Sequence, residues 1–353
     1  MKKLATTLIV TAAMLANTLA VAAAELPTLT VDRAVHRAMG NSERIIQLAE
    51  DIILEEIRGR EISQRLIGEF REESILLGIA IDRMTHEIAM AFQHSDRSIQ
   101  IDMITQSIQR IFLEIIKAET DLKFLDREIA IERQNFRFHQ IRHEYGLMSN
   151  NDFNEARQSI QNLELQRENL EASIDRAHRS LVNIVGGSRR TRYAVQLELE
   201  FAPLCHGRTA DDFVAIAFAQ NAELRRARRN LDVTQYEFNV RGSRSDDDRT
   251  AREIQLNRAQ RNVQTLRNDL ENSIINLYED IRQMERALAG RRASYTAMQA
   301  ELAVNEAMLE MERITQIEFD TFLLRMDRLR HGIHTDKADH TMMVQRLRNP
   351  NLQ

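Results

Sequence analysis

The stretch EYGLMSNNDF, residues 144–153, interrupts a long helical pattern and decides how the chain folds. Gly146 can adopt the positive backbone φ angle that commonly ends a helix. Ser149, Asn150 and Asn151 are residue types that cap the start of the next helix. Because both flanks are strongly helical, the stretch predicts a tight turn between two long antiparallel helices.

Hydrophobic residues recur at steps of seven on both sides of this turn. The upstream series is Ile108, Ile115, Leu122, Ile129 and Phe136, and the downstream series is Ala156, Leu163, Leu170, Ala177 and Ile184. Heptads sustained over this length favour coiled-coil packing over a compact globular helix. At about 1.5 Å per residue, each helix is roughly 50 Å long. The pattern therefore indicates a projecting rod.

The composition agrees with an elongated, mostly helical protein. The 353 residues include 3 Pro and 11 Gly, no Trp, 5% aromatic residues and 29% charged residues. A formal net charge of −5 is too small to indicate binding to nucleic acid or to an acidic membrane surface.

Residues 1–24 have the pattern of a secretory signal peptide. Two lysines precede an apolar stretch, and Ala22 and Ala24 form an Ala-x-Ala cleavage site before Glu25. A retained N-terminal anchor is the alternative. The lone Cys205 excludes a disulfide within the chain.

The sequence also contains a weak internal duplication. TVDRAVHRAMGNSER at 30–44 resembles TADDFVAIAFAQNAELRR at 209–226 in its order of Thr, Asp, spaced apolar residues, Asn and Glu. The shared asparagines, Asn41 and Asn221, are 180 residues apart. A duplication of this size indicates a repeated structural unit.

The tip of the hairpin is duplicated as well. MSNNDF at 148–153 has a counterpart in ITQIEF at 314–319, an offset of 166 residues. We therefore predict a first helical repeat over 25–187, a linker over 188–207 and a second helical repeat over 208–349. The alternating segment VQLELEF favours a short extended stretch within the linker.

The segment from the first tip to the linker carries a set of residues at characteristic spacings. They are Tyr145, Gly146, Asp152, Ala156, Leu181 and Gly186. In order and spacing they resemble the first periplasmic hairpin of the TolC-like outer-membrane efflux proteins. The openings of both repeats resemble that family too, with Ser42 and Ala222 in place of its proline. The resemblance covers roughly residues 28–345.

This resemblance implies an all-α protomer of long antiparallel coiled-coil hairpins in two repeats. It implies a homotrimer that forms a hollow cylinder in the periplasm, associated with the outer membrane. The tips would meet a periplasmic adaptor protein bound to an inner-membrane pump, as in efflux or type I secretion. The implied function is a passive tunnel, not an enzyme, with no cofactor. The tip residues implied in adaptor docking are Tyr145, Gly146, Ser149, Asp152, Thr315 and Glu318.

In that family the cylinder continues into an outer-membrane β-barrel, to which each repeat contributes two strands. A membrane strand needs about 9–11 alternating residues. The second repeat offers only the charged RGSRSDDDR at 241–249. The first offers 69–98, where ILLGIAI at 75–81 is strand-like but the wider apolar spacing favours a helix. We expect the barrel to be absent or vestigial. The alternative function is therefore an extracytoplasmic coiled-coil scaffold or tether without channel activity.

The resemblance further implies acidic residues after the second tip that face the channel axis. Glu318 matches the first such position, Thr321 occupies the second, and Asp320 is one residue out of register. Glu318 and Asp320 are therefore candidate lumen carboxylates. The alternative for Glu318 is a helix-start carboxylate that the helix dipole favours.

No pattern in the sequence supports metal binding or catalysis. His139 and His143 are four residues apart on a helix but have no third ligand at a fitting spacing. The acidic run 246–248 lacks the spaced ligands and glycine of a calcium loop. There is no glycine-rich phosphate loop and no nucleophile motif.

Overall fold

The computed structural model describes residues 26–68, 73–188, 191–197, 201–204, 207–240 and 246–352. The predicted signal peptide, Cys205 and residues 241–245 lie outside the described residues.

Within that part of the chain, α-helices form nearly all of the structure. The first half contains α1 (Val31–Asn41), α2 (Glu43–Gly68), α3 (Glu73–Glu144) and α4 (Asn150–Val185). The second half contains α5 (Ala210–Gln220), α6 (Ala222–Val240), α7 (Asp246–Glu310) and α8 (Gln316–Arg348). A short 3-10 helix, Pro350–Leu352, follows α8. Two three-residue strands, β1 (Thr28–Thr30) and β2 (Ala194–Gln196), pair in parallel.

The two halves have the same architecture. In each, a long outgoing helix (α3 or α7) turns at a tip and returns as α4 or α8, and two shorter helices pack against the outgoing helix. The all-α fold of long antiparallel hairpins in two repeats is confirmed. Residues 75–81 lie in α3, so the helical interpretation of that segment is correct.

Some of the heptad positions predicted for the first hairpin lie in its core, and the others are only partly buried. Ile108, Ile115 and Leu181 are fully buried in the first half. Their counterparts 166 residues later are equally buried, and these are Ile274, Ile281 and Leu347. The offset of 166 residues therefore relates the buried residues of the two hairpins as well as their tips. The long helices of both repeats thus have the same number of residues between core and tip.

The strands connect the start of the first repeat to the linker. Leu29 pairs with Val195, and Leu29 is buried in the first core. The predicted extended segment of the linker is thus found at Ala194–Gln196.

The halves are joined along α3. Arg127 Nη1 lies 2.7 Å from Asp327 Oδ2, and Arg328 Nη2 lies 2.6 Å from Glu128 Oε2. These pairs link α3 to α8. Nearer the other end of the rod, the Asn349 side chain donates to Asp102 at 2.8 Å. Because α3 and α8 are antiparallel, both tips lie at the same end of the protomer.

No helix among the described residues combines the length and the hydrophobicity that crossing a membrane requires.

Candidate functional site

The first tip, between α3 and α4, is a tight turn fixed by local hydrogen bonds. Gly146 has a φ of +70°, which confirms the predicted helix-ending residue. The Leu147 N–H donates to the Arg142 carbonyl at 2.7 Å and satisfies one of the last carbonyls of α3. The Ser149 hydroxyl accepts from the Asp152 N–H at 3.1 Å. Ser149 is therefore the N-cap of α4.

The second tip, between α7 and α8, repeats this turn 166 residues later. Glu312 occupies the position of Gly146 and also has a positive φ, +57°. Thr315 and Glu318 form a reciprocal capping box. The Thr315 hydroxyl accepts from the Glu318 N–H at 3.2 Å, and Glu318 Oε2 accepts from the Thr315 N–H at 2.7 Å. A non-glycine residue at this turn was not foreseen from the sequence.

Both tips present an apolar side chain at the same position. Tyr145 at the first tip is 76% exposed, and its counterpart Met311 at the second is 66% exposed. Leu147 adds a second apolar side chain, 68% exposed. Sequence reasoning missed Met311, although the 166-residue offset applied to Tyr145 points to it. The tips therefore offer apolar contact points in otherwise polar turns.

The two candidate lumen carboxylates both accept hydrogen bonds from residues at the start of α8. The backbone N–H and the hydroxyl of Thr315 donate to Glu318 and lower the pKa of its carboxyl. Asp320 Oδ1 accepts from Gln316 Nε2 at 2.9 Å. Glu318 thus acts as a helix-start carboxylate, the alternative that the sequence left open. Its role in a lumen stays a prediction.

The two histidines before the first tip do not act together. His143 Nε2 lies 2.6 Å from Asn150 Oδ1, and its ring stacks on Phe153 at 4.5 Å between centroids. His139 lines a surface cavity of about 460 Å³ with Gly146 and neighbouring turn residues. No group of three His, Cys, Asp or Glu side chains with the placement of a metal site occurs in the described ranges.

At the other end of the rod, each repeat is closed by its asparagine. Asn41 Nδ2 donates to the Val185 carbonyl at the end of α4, at 2.5 Å. Asn221 Nδ2 donates to the Pro350 carbonyl after α8, at 2.9 Å. The two asparagines that align in the repeat motif therefore have the same structural role. Each forms a hydrogen bond from an opening helix to the end of the return helix of its repeat.

Each repeat also contains a buried histidine next to a glutamate of the outgoing helix. His178 Nε2 lies 3.6 Å from Glu119 Oε1, and His340 Nε2 lies 3.2 Å from Glu285 Oε1. Glu119 and Glu285 are equivalent at the 166-residue offset. Burial lowers the pKa of His178, although Glu119 opposes this. Sequence reasoning missed both pairs because no local motif contains them.

One helical face of the first repeat exposes several large apolar side chains. Ile46, Ile53 and Ile57 lie on one face of α2 and are 48%, 56% and 40% exposed. Their spacing of seven and four residues makes a continuous helical stripe. A stripe of this kind indicates contact with another surface.

Comparison with solved structures identifies the architecture. VceC, an outer membrane protein from Vibrio cholerae, matches with a TM-score of 0.65 and 9% identity, over 90% of this chain and 96% of that one. The Campylobacter jejuni CmeC outer membrane channel matches with 0.61 and 9%, over 91% and 85%. The open state of the Neisseria gonorrhoeae MtrE outer membrane channel matches with 0.59 and 9%, over 92% and 89%.

This chain has the TolC-like fold. The likeness extends over nearly the whole of both chains, so the predicted resemblance is confirmed for the fold as a whole. At about a tenth identity, the likeness is one of architecture and not of individual side chains. The chain matches no family model and no curated protein.

Proposed function

We propose that this protein is the subunit of a passive export channel. Three copies would form a closed helical cylinder in the cell envelope, and the tips would bind the adaptor protein of an inner-membrane pump. Two observations support this: the TolC-like fold, and structural neighbours that are described as outer membrane channels. The proposal includes no catalytic step.

The proposal rests mainly on contacts between helices. The long outgoing helix of the first repeat packs against the second repeat, whereas in the part of the chain that the structure describes the equivalent helix of the second repeat does not make the corresponding contacts. Within the chain, α3 packs against α8 and against α6 of the other repeat. Among the described residues, its counterpart α7 makes no comparable contact with α4 or with α2. Since α3 and α7 are equivalent, the missing contacts are supplied if α7 of one copy packs against α4 and α2 of the next. Repeating that step closes a ring.

The exposed apolar stripe fits this arrangement. In the chain, α6 rests on α3, where Arg226 pairs with Asp96 and lies 5.0 Å above the Phe92 ring. The equivalent contact between copies places α2 on α7. Ile53 and Ile57 of α2 would then meet apolar residues of α7 such as Ile254, which is 45% exposed. Burial of these side chains would stabilise the ring.

The fold likeness supports three copies as the proposed number, and the exposed apolar side chains at the tips support the proposed docking role. Because both tips lie at one end of each protomer, a ring of protomers gathers all of them at one mouth. Tyr145 and Met311 would then form a circle of apolar contact points for an adaptor. Gly146, Asp152 and Glu318 would shape and charge the same surface.

Cross-linking between copies tests the ring directly. Arg127 and Asp327 join α3 to α8 within the chain. Their counterparts on α7 and α4 are Ala293 and Gln161, both of which are exposed. We expect the variant A293C/Q161C, made in a C205S background, to give covalent dimers and trimers with a short bis-maleimide.

The matched control is R127C/D327C in the same background. It should cross-link within one chain and leave the apparent mass at one protomer. If A293C/Q161C gives no species larger than one protomer, and light scattering at micromolar concentration also finds a monomer, the channel proposal is wrong. The coiled-coil scaffold or tether is then the remaining function.

A further inference from the structure

A cavity of about 850 Å³ lies between the two repeats, where α3, α7, α8 and the C-terminal 3-10 helix meet. This volume lies within the roughly 300–1,000 Å³ range of pockets that hold small organic ligands. All of its walls belong to one chain, so the cavity does not depend on the proposed ring.

Methionines dominate the apolar part of the lining. Four of them reach the cavity from three different helices: Met103 on α3, Met284 on α7, and Met342 and Met343 on α8. Buried Leu113 also contributes. Methionine is flexible and polarizable, and surfaces rich in it adapt to apolar ligands of varied shape.

Two cations of α3 reach the same cavity, where both interact electrostatically with the Asp339 carboxyl without forming a close ion pair. Arg110 and Lys117 line the wall, and within the described residues neither forms an ion pair. By contrast, cations that join the repeats closer to the tips form ion pairs, as Arg127 does with Asp327. Unpaired cations beside an apolar surface favour an anionic group, and a guanidinium binds carboxylate or sulfate in a bidentate manner.

The other charges that face the cavity leave it with a positive balance. Glu114 and Asp339 contribute carboxylates, and Arg346 contributes a third cation. Burial raises the pKa of the Asp339 carboxyl, and the nearby Lys117 and Arg110 oppose that rise. Three cations and two carboxylates therefore line the cavity, and Arg346 also lines the neighbouring cavity with Asp269 and Asp280.

The second repeat shows that the fold does not require these side chains. Three lining residues of α3 differ in character from their α7 counterparts at the 166-residue offset. The pairs are Met103 and Asp269, Arg110 and Asn276, and Lys117 and Gln283. Asp269 and Asn276 line a smaller polar cavity of about 470 Å³ on α7. The same helical position is thus polar in one repeat, and apolar and cationic in the other.

We propose that the cavity between the repeats binds an amphipathic organic anion, a single alkyl chain that carries a carboxylate or sulfate group. The alkyl chain lies against Met284, Met342 and Met343. The head group lies at Arg110 and Lys117. Size favours one chain of a dispersed amphiphile over a lipid bilayer, because the site is a cavity between packed helices.

The test is a titration of the mature protein with dodecanoate below its micelle concentration, followed through 13C-labelled methionine methyl groups. We expect saturable shifts at Met103, Met284, Met342 and Met343. Met148 and Met298, which lie outside the cavity, serve as internal references. Dodecyltrimethylammonium, with the same chain and opposite charge, should not saturate these signals.

The decisive variant is R110N/K117Q, which installs the side chains found at the equivalent positions of α7. It should weaken dodecanoate binding by about tenfold or more, since two charge-assisted contacts are lost. The control R325N/R330Q removes two exposed cations of α8 outside the cavity and should leave the affinity unchanged.

Three results would overturn the proposal. They are equal binding of the cationic amphiphile, an unchanged affinity in R110N/K117Q, and the absence of methionine shifts with dodecanoate. Silver(I) that saturates the four methionine signals when dodecanoate does not would assign the cavity to a soft metal instead.

Discussion

At the scale of single residues, the two tips place different side chains at the same position of positive backbone φ. The turn needs a left-handed residue, and glycine adopts that conformation without steric cost. The first tip has Gly146 there, whereas the second has Glu312. An L-residue with a side chain costs about 1–2 kcal/mol in this conformation. The second tip is therefore the more strained of the two.

This difference predicts opposite effects of substitution at the two tips. Gly146→Val should lower the free energy of unfolding by about 1–2 kcal/mol, because a β-branched residue fits the left-handed region poorly. Glu312→Gly should raise it by up to about 1 kcal/mol. Urea denaturation measures both, and hydrogen exchange at the tips locates the change. A stabilising Gly146→Val would contradict this assignment.

A second prediction at this scale concerns His178, which is 3% exposed. Burial lowers its pKa, with Glu119 and Asp175 opposing and Arg192 reinforcing the shift. The fold therefore favours the neutral ring. Stability is fully present above the unfolded-state pKa of about 6.5 and is lost as the pH falls below it.

We expect the free energy of unfolding to fall between pH 7.5 and pH 5.5, and His178→Gln to reduce that fall. Burial lowers the pKa of His331 in the same direction, so part of the pH dependence should remain in the variant. Urea denaturation at both pH values provides the measurement. A steeper pH dependence in His178→Gln would show that the ring is protonated in the native state.

At the scale of helices, the caps set where each return arm begins. Ser149 supplies one hydrogen bond to α4, whereas Thr315 and Glu318 exchange hydrogen bonds at the start of α8. A reciprocal cap satisfies two backbone donors and a single cap satisfies one. The register of α8 is therefore fixed more firmly than that of α4.

We expect Ser149→Ala to cost about 1 kcal/mol and Thr315→Ala to cost more, because it also removes the partner of Glu318. Hydrogen exchange in the first turns of α4 and α8 separates the two effects. Equal protection losses at both sites would show that the reciprocal bond adds nothing.

The hairpins could be predicted from the sequence because their signals are local. Heptads, Gly146 and Ser149 each specify their conformation within a few residues of the chain. The missed features depend on residues far apart in sequence. The Asn41 side chain finds the Val185 carbonyl, and His178 finds Glu119, only once the hairpins have packed. Glu312 was missed for a different reason: its side chain is not a turn signal, although the Arg313 N–H closes this turn on the Met308 carbonyl just as the Leu147 N–H closes the first.

At the scale of the whole molecule, the seam between the repeats differs from the seam proposed between copies. The seam within the chain carries the ion pairs Arg127–Asp327 and Glu128–Arg328. The counterparts of those residues on α7 and α4 are uncharged: Ala293, Ser294, Gln161 and Asn162. The ion pairs therefore distinguish the correct internal pairing from the pairing between copies, as charge patterns do in coiled coils.

A charge exchange across the internal seam tests this role. The side chains of Arg127 and Asp327 are both 40% or more exposed, so their ion pair is worth about 0.2–1 kcal/mol. Arg127→Asp and Asp327→Arg should each destabilise the protein by this amount or slightly more, because each places like charges together. The double exchange should restore most of the loss, which a double-mutant cycle in urea measures.

The same variants separate folding from assembly. Each single variant weakens the internal seam, while the seam proposed between copies has no charge at the equivalent positions. We therefore expect light scattering to give an unchanged number of copies per assembly for Arg127→Asp, Asp327→Arg and the double exchange. High salt should lower the stability of the natural protein and of the double exchange by similar amounts, because it screens exposed pairs of either orientation. If the single variants instead change the number of copies, the ion pairs hold copies together, and the assignment of the two seams is reversed.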